Sequence, residues 1–225
     1  MTPAICHSKK FVEDAVALIL SEAGAAISAR GIFRIALSGG NTPRPVYRAL
    51  AGSGADWTKW EFTFGDERCV PPESDQSNFR MAKESLFDPA GMTGGNILRM
   101  RGEDDPTAAA LAYEEELRAR SPEYRHDLIL LGMGDDGHTA SLFPGTEALT
   151  VEDRLVVANF VPKFSTHRLT FTYPLLNAAR HVCFLVSSAG KEDVLEEVFT
   201  GRGNHPCAAV RPVDGTVTWL LGGGA

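Results

Sequence analysis

The sequence predicts an α/β fold built on a mainly parallel sheet with helices on both faces. Three observations predict it. Short apolar runs alternate with amphipathic stretches along most of the chain, the strand–loop–helix repetition of parallel sheets. One run, Asp127 to Leu131, is apolar at every position after its first, as a strand covered on both faces requires. Two runs end in glycine-bearing loops, 38–43 and 132–146, the places where open α/β sheets bind ligands.

The elements follow in order. Lys9 to Arg30 carries Phe11, Val12, Ala15, Val16, Leu18, Ile19 and Ala23 as a broad helical stripe, which Gly31 ends. Ile32 to Leu37 reads as a strand, and Pro43 suits the first turn of a helix through Leu50. Glu61 to Phe64 is a strand that runs into the loop 65–80. Ser77 to Phe87 and Pro106 to Arg120 read as helices, and Asp127 to Leu131 as a central strand. Further strands are expected over 155–160, 168–172, 182–186 and 217–221, with a helix over 191–199. The glycine-rich end, 222–225, is expected to fray. No repeat or linker divides the chain, so residues 1–225 are expected to form one catalytic domain.

Composition narrows the function. The 225 residues carry a formal net charge of −7, which argues against nucleic acid or an anionic membrane as partner. A small anion remains open to it, because a few local cations and backbone N–H groups decide that. Cys6, Cys69, Cys183 and Cys207 lie far apart with no C-x-x-C pair, so reduced thiols in a cytoplasmic protein are expected. No basic segment precedes an apolar one near Met1, so no signal peptide is expected, and no apolar run reaches membrane-spanning length.

Chemistry gathers in three loops. In Ser38-Gly39-Gly40-Asn41-Thr42-Pro43 two glycines let backbone approach a ligand, and a helix start offers free N–H groups. That makes either an anion seat or a tight turn with Asn41 or Thr42 as helix cap. Gly65-Asp66-Glu67-Arg68 sets two acids and a cation at a strand end. Gly132-Met133-Gly134-Asp135-Asp136-Gly137-His138 formally matches the dinucleotide pattern G-x-G-x-x-G. Asp135 and Asp136, however, would set two negative charges against a pyrophosphate, and no strand ends in an acid about 20 residues later. The loop instead offers a histidine just past a glycine turn, with an acid before it. Imidazole, with an ordinary pKa of about 6.5, suits proton abstraction near neutral pH. His7, His126, His167, His181 and His205 lack such surroundings and read as structural. A Ser141–His138 pair has no third member, no G-x-S-x-G elbow occurs, and no clustered ligand set suggests a metal.

These segments together resemble the 6-phosphogluconolactonases of the glucosamine/galactosamine-6-phosphate isomerase superfamily. The resemblance rests on 37–43, Gly65-Asp66-Glu67-Arg68, Ser77-Asn78-Phe79 and the string from Gly132 to Gly145. It continues through Pro162-Lys163, Arg168-Leu169-Thr170 and 174–179. It implies a Rossmann-like three-layer α/β/α fold and hydrolysis of 6-phospho-D-glucono-1,5-lactone in the oxidative pentose phosphate pathway, with no metal or organic cofactor. Ser38, Gly39, Gly40, Asn41 and Thr42 would hold the phosphate with Arg168 and Lys191. His138 would activate water, with Asp136, Asp66 or Glu67 orienting it, and Arg68 or a backbone N–H would receive the charge on the carbonyl oxygen. The partner is then a phosphosugar lactone, and the chain is expected to be a monomer or weak homo-oligomer. The alternatives are a glucosamine-6-phosphate isomerase/deaminase, whose family members carry a glutamate at the position of Phe143, and a sugar-phosphate sensor without turnover.

Overall fold

The computed structural model describes residues 2–121 and 123–223. Among them, six strands form a parallel sheet: β1 (Ala4–Ser8), β2 (Phe33–Leu37), β3 (Trp60–Phe64), β5 (Leu128–Leu131), β8 (His181–Ser187) and β9 (Thr216–Gly222). Their order is β1-β9-β8-β5-β2-β3. A second sheet of three antiparallel strands is made of β4 (Asp66–Arg68), β7 (Thr166–Phe171) and β6 (Val156–Val161), in the order β4-β7-β6.

Two apolar clusters show that both faces of the main sheet are covered. On one face Ala15, Ile19 and Ala23 of α1 (Phe11–Arg30) and Val46, Tyr47 and Leu50 of α2 (Pro43–Ala51) pack with Leu128, Leu130 and Cys183. On the other, Ala109, Ala110, Tyr113 and Leu117 of α4 (Pro106–Arg120) pack with Ile129, Leu131, Val182 and Phe184. Leu176 of α5 (Tyr173–Ala178) and Leu195 of α6 (Glu192–Thr200) complete that layer. Alternate residues of β5 thus enter opposite cores, which is why the whole strand is apolar.

The end of α1 acts as the sequence predicts, and other helix ends carry signals of their own. Gly31 takes a left-handed φ of 78° and donates its N–H to the Ile27 carbonyl at 2.8 Å. Asp105 caps α4 by accepting from the Ala108 N–H at 2.9 Å, with Pro106 in the first turn. The stretch after Ser77 begins as α3 (Asn78–Ala82), then widens over Lys83–Phe87, where the Asp88 N–H reaches the Lys83 carbonyl at 2.9 Å.

Three expectations are corrected, and one strand appears that the sequence does not predict. The strands near 155–160 and 168–172 do not join the parallel sheet; they pair with each other and with β4. Residues 66–68 are strand rather than loop. Gly65 makes the transfer, donating to the Leu37 carbonyl in the main sheet at 3.0 Å and accepting from the Phe171 N–H of the side sheet at 2.9 Å. β1 has no apolar signal because it is an edge strand with Ala4 to His7 exposed. Gly222 does not fray: it pairs with Ser8 and Ser187 at the end of β9, whereas 224–225 lie outside the described residues. No helix among the described residues is long and apolar enough to cross a membrane.

Candidate active site

β2 continues through α2 to β3 on one side, whereas β5, β8 and β9 lie on the other. The strand order therefore reverses between β2 and β5, and the loops leaving their carboxyl ends part around a crevice. A cleft of about 340 Å³ occupies that point. It is lined by residues 38–43, Asp66, Arg68, Gly132, Met133, Gly134, His138–Ala140, Arg168, Leu185–Ser187 and Lys191. The volume falls within the range of about 300–1,000 Å³ usual for small-molecule sites.

The turn after β2 is shaped by two demands on glycine. A Cβ on Gly39 would overlap the carboxamide of Asn78, and Gly40 has a φ of 95°. Thr42 stands at the cap of α2 but makes no side-chain capping hydrogen bond, so the helix start is not closed by its own side chain. The buried Ser38 hydroxyl has no partner among the described residues.

The two acids of β4 do different things, and neither touches His138. Asp66, which lines the cleft, accepts from the Ser141 hydroxyl at 2.7 Å and from the Asn78 amide nitrogen at 3.0 Å. Ser141 is thereby committed and fully buried, which removes the serine–histidine pair. Glu67 turns away from the cleft into the start of α3. It accepts from the N–H groups of Asn78 and Phe79 at 2.7 and 2.8 Å and from the Ser77 hydroxyl at 3.0 Å. Burial pushes its carboxyl above the ordinary carboxylate range against the pull of those N–H groups. Glu67 is a helix-start anchor, not an orienter of the imidazole.

Arg68 and Arg168 are register partners across the β4–β7 ladder, and both line the cleft. The Nε of each is buried without a hydrogen-bond partner among the described residues. Arg168 lies over the rings of Phe164 and Phe143, at 4.7 and 5.5 Å. Its pKa is lowered first by burial, with the Arg68 charge adding to the effect and Asp66 opposing it.

His138 is held by a carboxylate, an aromatic ring and the glycine turn before it. Its Nδ1 lies 2.5 Å from Asp136 Oδ1, and the same oxygen accepts from the His138 backbone N–H at 3.2 Å. Its ring stacks on Phe143 at 4.0 Å between centroids. Its carbonyl accepts from the Gly134 N–H at 2.9 Å, and a Cβ on Gly134 would strike the imidazole. Because a carboxylate only accepts, Nδ1 carries the proton in this pair, which leaves Nε2 as the lone-pair atom of a ring bordering the cleft. Of the three acids the sequence offers, Asp136 is the one on the imidazole. Burial alone would raise its carboxyl, but the hydrogen bonds from His138 and the Lys163 ammonium at 3.1 Å outweigh it and hold it at about 2.

Lys191, just before α6, reaches back to the Met133 carbonyl and lies 3.7 Å from Asp135. Reasoning from sequence missed Leu185–Ser187, which the rule of strand carboxyl ends points to, and Tyr47, which carries no sequence signal. Ala140, part of the string from Gly132 to Gly145, borders the cleft with a φ of 47°. His205, which reads as structural in the sequence, packs beneath Gly137. Among the described residues, no group of three or more His, Cys, Asp or Glu is gathered to hold a metal ion.

The model of the family described as glucosamine-6-phosphate isomerases/6-phosphogluconolactonase matches residues 7–219. The chain is 44% identical over 226 residues to a 6-phosphogluconolactonase of a Synechocystis strain, covering 96% of this chain and 93% of that protein. A 6-phosphogluconolactonase of a Nostoc strain is 41% identical over 213 residues, covering 91% and 88% of the two. The crystal structure of 6-phosphogluconolactonase from Thermotoga maritima superposes with a TM-score of 0.89 at 31% identity, covering 98% of this chain and all of that one.

Proposed function

The chain belongs to the glucosamine-6-phosphate isomerase/6-phosphogluconolactonase family, and we propose that it hydrolyses 6-phospho-D-glucono-1,5-lactone to 6-phospho-D-gluconate, the lactone-opening step of the oxidative pentose phosphate pathway. One observation carries the mechanism: the uncapped start of α2 and the imidazole of His138, with Nδ1 anchored on Asp136, border the same cleft.

In this reading the phosphate rests on the 38–42 turn, where first-turn N–H groups and the helix dipole favour a dianion. Lys191 and Arg168 flank it. His138 Nε2 takes a proton from a water molecule as that water attacks the lactone carbonyl carbon. Asp136 keeps the Nδ1 proton in place and stabilises the imidazolium that forms, as an acceptor and without becoming protonated itself. Negative charge builds on the carbonyl oxygen, and Arg68, with an unused buried N–H, supplies a preorganised donor there. The ring C–O bond then breaks, and the imidazolium returns its proton to the leaving oxygen. The products are 6-phosphogluconate and a released proton.

The isomerase reading has less support. Its family members place a carboxylate where this chain has Phe143, and here that aromatic ring lies flat on His138.

Proton release on mixing the protein with freshly prepared 6-phosphogluconolactone, corrected for spontaneous opening, tests the activity. An ammonia assay on glucosamine 6-phosphate runs beside it. Lactone-dependent proton release without ammonia supports the assignment; ammonia release, or binding without either product, overturns it. Non-phosphorylated gluconolactone is the control for phosphate recognition and is expected to be a far poorer substrate.

A further inference from the structure

We infer that His205, held by Glu197, is a positioning residue for the His138 base, acting on the peptide that joins the two halves of the Asp136–His138 pair. The inference rests on the reading of His138 as the base.

His205 lies in the connection between α6 and β9, 67 positions along the chain from His138, with its side chain 15% exposed. Its Nε2 is 2.7 Å from Glu197 Oε2 on α6, and its Nδ1 faces the Asp136 carbonyl oxygen at 3.4 Å. The ring fills the space a side chain on Gly137 would need: a Cβ there would meet Nδ1, Cβ and Cγ of His205. Two residues on, the Cys207 N–H donates to the Gly137 carbonyl at 3.0 Å. Both ring nitrogens face acceptors, so the ring donates to Glu197 and to the Asp136 carbonyl together in its imidazolium form, and the Asp136–Gly137 segment is then met from beneath at both of its carbonyls.

That support matters because of how short the turn is. Gly137 has a φ of 73°, and its N–H closes on the Gly134 carbonyl at 3.0 Å, so Asp136 sits at the outer corner of a tight loop. The Asp136 carboxylate is part of the same residue whose carbonyl meets His205. A shift of that peptide moves the carboxylate, and with it the imidazole it anchors. A misplacement of about 1 Å at a reacting group costs on the order of 100-fold in rate. His205 and Glu197 border no part of the cleft, so their removal leaves the substrate's own contacts unchanged. The expected signature is a loss in kcat at constant KM.

The test uses the whole chain and 6-phosphogluconolactone. His205→Ala is expected to lower kcat by about 10- to 100-fold with KM within twofold, and His205→Asn, which returns an N–H donor near the Asp136 carbonyl, to recover most of that loss. In a His138→Ala background, His205→Ala is expected to change nothing further. An unchanged kcat in folded His205→Ala, a parallel rise in KM, or an equal loss in the His138→Ala background overturns the inference. Should His205→Ala not fold, Glu197→Ala at its half-exposed site decides: a smaller fall in kcat at fixed KM supports the inference and no fall overturns it. A fully active His138→Ala single variant would remove the base assignment instead, and is read separately.

Discussion

Arg68 and Arg168 stand directly opposite each other across the β4–β7 ladder, with both side chains on the cleft. Like charges at such a position are destabilising in the absence of an anion. The Asp66 charge opposes part of that repulsion at Arg168, and in the proposed reading the two neighbouring cations have separable roles, one toward phosphate and one toward the carbonyl oxygen.

Arg168→Ala is expected to raise KM for the phospholactone by about 10- to 100-fold, the value of one charged hydrogen bond, with little change in kcat. Lys191→Ala is expected to act in the same direction. Arg68→Ala is expected to lower kcat instead. Initial-rate kinetics separate the two patterns, and a kcat effect confined to Arg168 would reverse the assignment.

His138→Ala is expected to lower kcat by about 10²–10⁴-fold, the usual worth of a general base, in a folded protein. Asp136→Asn is expected to follow it, because an amide can donate to Nδ1 and so favour the wrong tautomer. The Asp136 carboxyl is held at about 2, below the ordinary carboxylate value of about 3.9. Its ionised form thus favours the folded state above the ordinary value and loses that effect as pH falls through about 2. An acid limb of the rate profile between pH 5 and 7 is therefore not its titration. Protonation of the Asp136 carboxyl observed directly by carbon-13 NMR between pH 5 and 7 would contradict this.

Tyr47 satisfies both backbone polar groups of Ser38, its hydroxyl accepting from the N–H and donating to the carbonyl at 2.9 Å each. Tyr47→Phe leaves both buried without a partner, and about 1–3 kcal/mol of stability is expected to be lost for each unpaired group. Because the 38–42 turn starts there, KM is expected to rise as well. Urea unfolding and initial rates on the same preparation check both.

His126 is fully buried beside Tyr124 and Phe171, with Nε2 2.8 Å from the Thr63 hydroxyl. Burial, aided by the Arg34 charge, lowers its pKa to about 3. Between about 6.5, the ordinary value, and 3 the unfolded chain holds a proton that the folded chain does not. Stability is therefore intact above that window and falls as pH drops through it, by about 1.4 kcal/mol per pH unit. His126→Gln removes this contribution. Unfolding titrations at pH 7 and 4.5 are expected to show a pH dependence smaller by about 2–3 kcal/mol in the variant. Equal slopes would refute it.

Much was written locally in the chain. β5 announced itself because both of its faces are buried, and α1 because its apolar stripe runs into Gly31. The three loops of the cleft were legible for the same reason: glycines and ionisable residues at the carboxyl ends of apolar runs are signals within a few residues of each other. The side sheet was not legible, since an antiparallel three-residue strand such as β4 looks like loop until Gly65 hands it to β7.

Local sequence set out the chemistry available: a glycine-bearing helix start, a histidine with an acid two residues before it, and cations placed near strand and helix ends. Which of several like side chains meets which partner follows from the folded arrangement. Asp136 rather than Asp66 or Glu67 meets the imidazole, Arg68 is set against Arg168, and His205 lies under Gly137. The physical reason is range. Propensity, capping and the Asp136–His138 contact act over a few residues along the chain, whereas Arg68 meets Arg168 and His205 meets Gly137 across 100 and 68 positions, through strand register and chain connection.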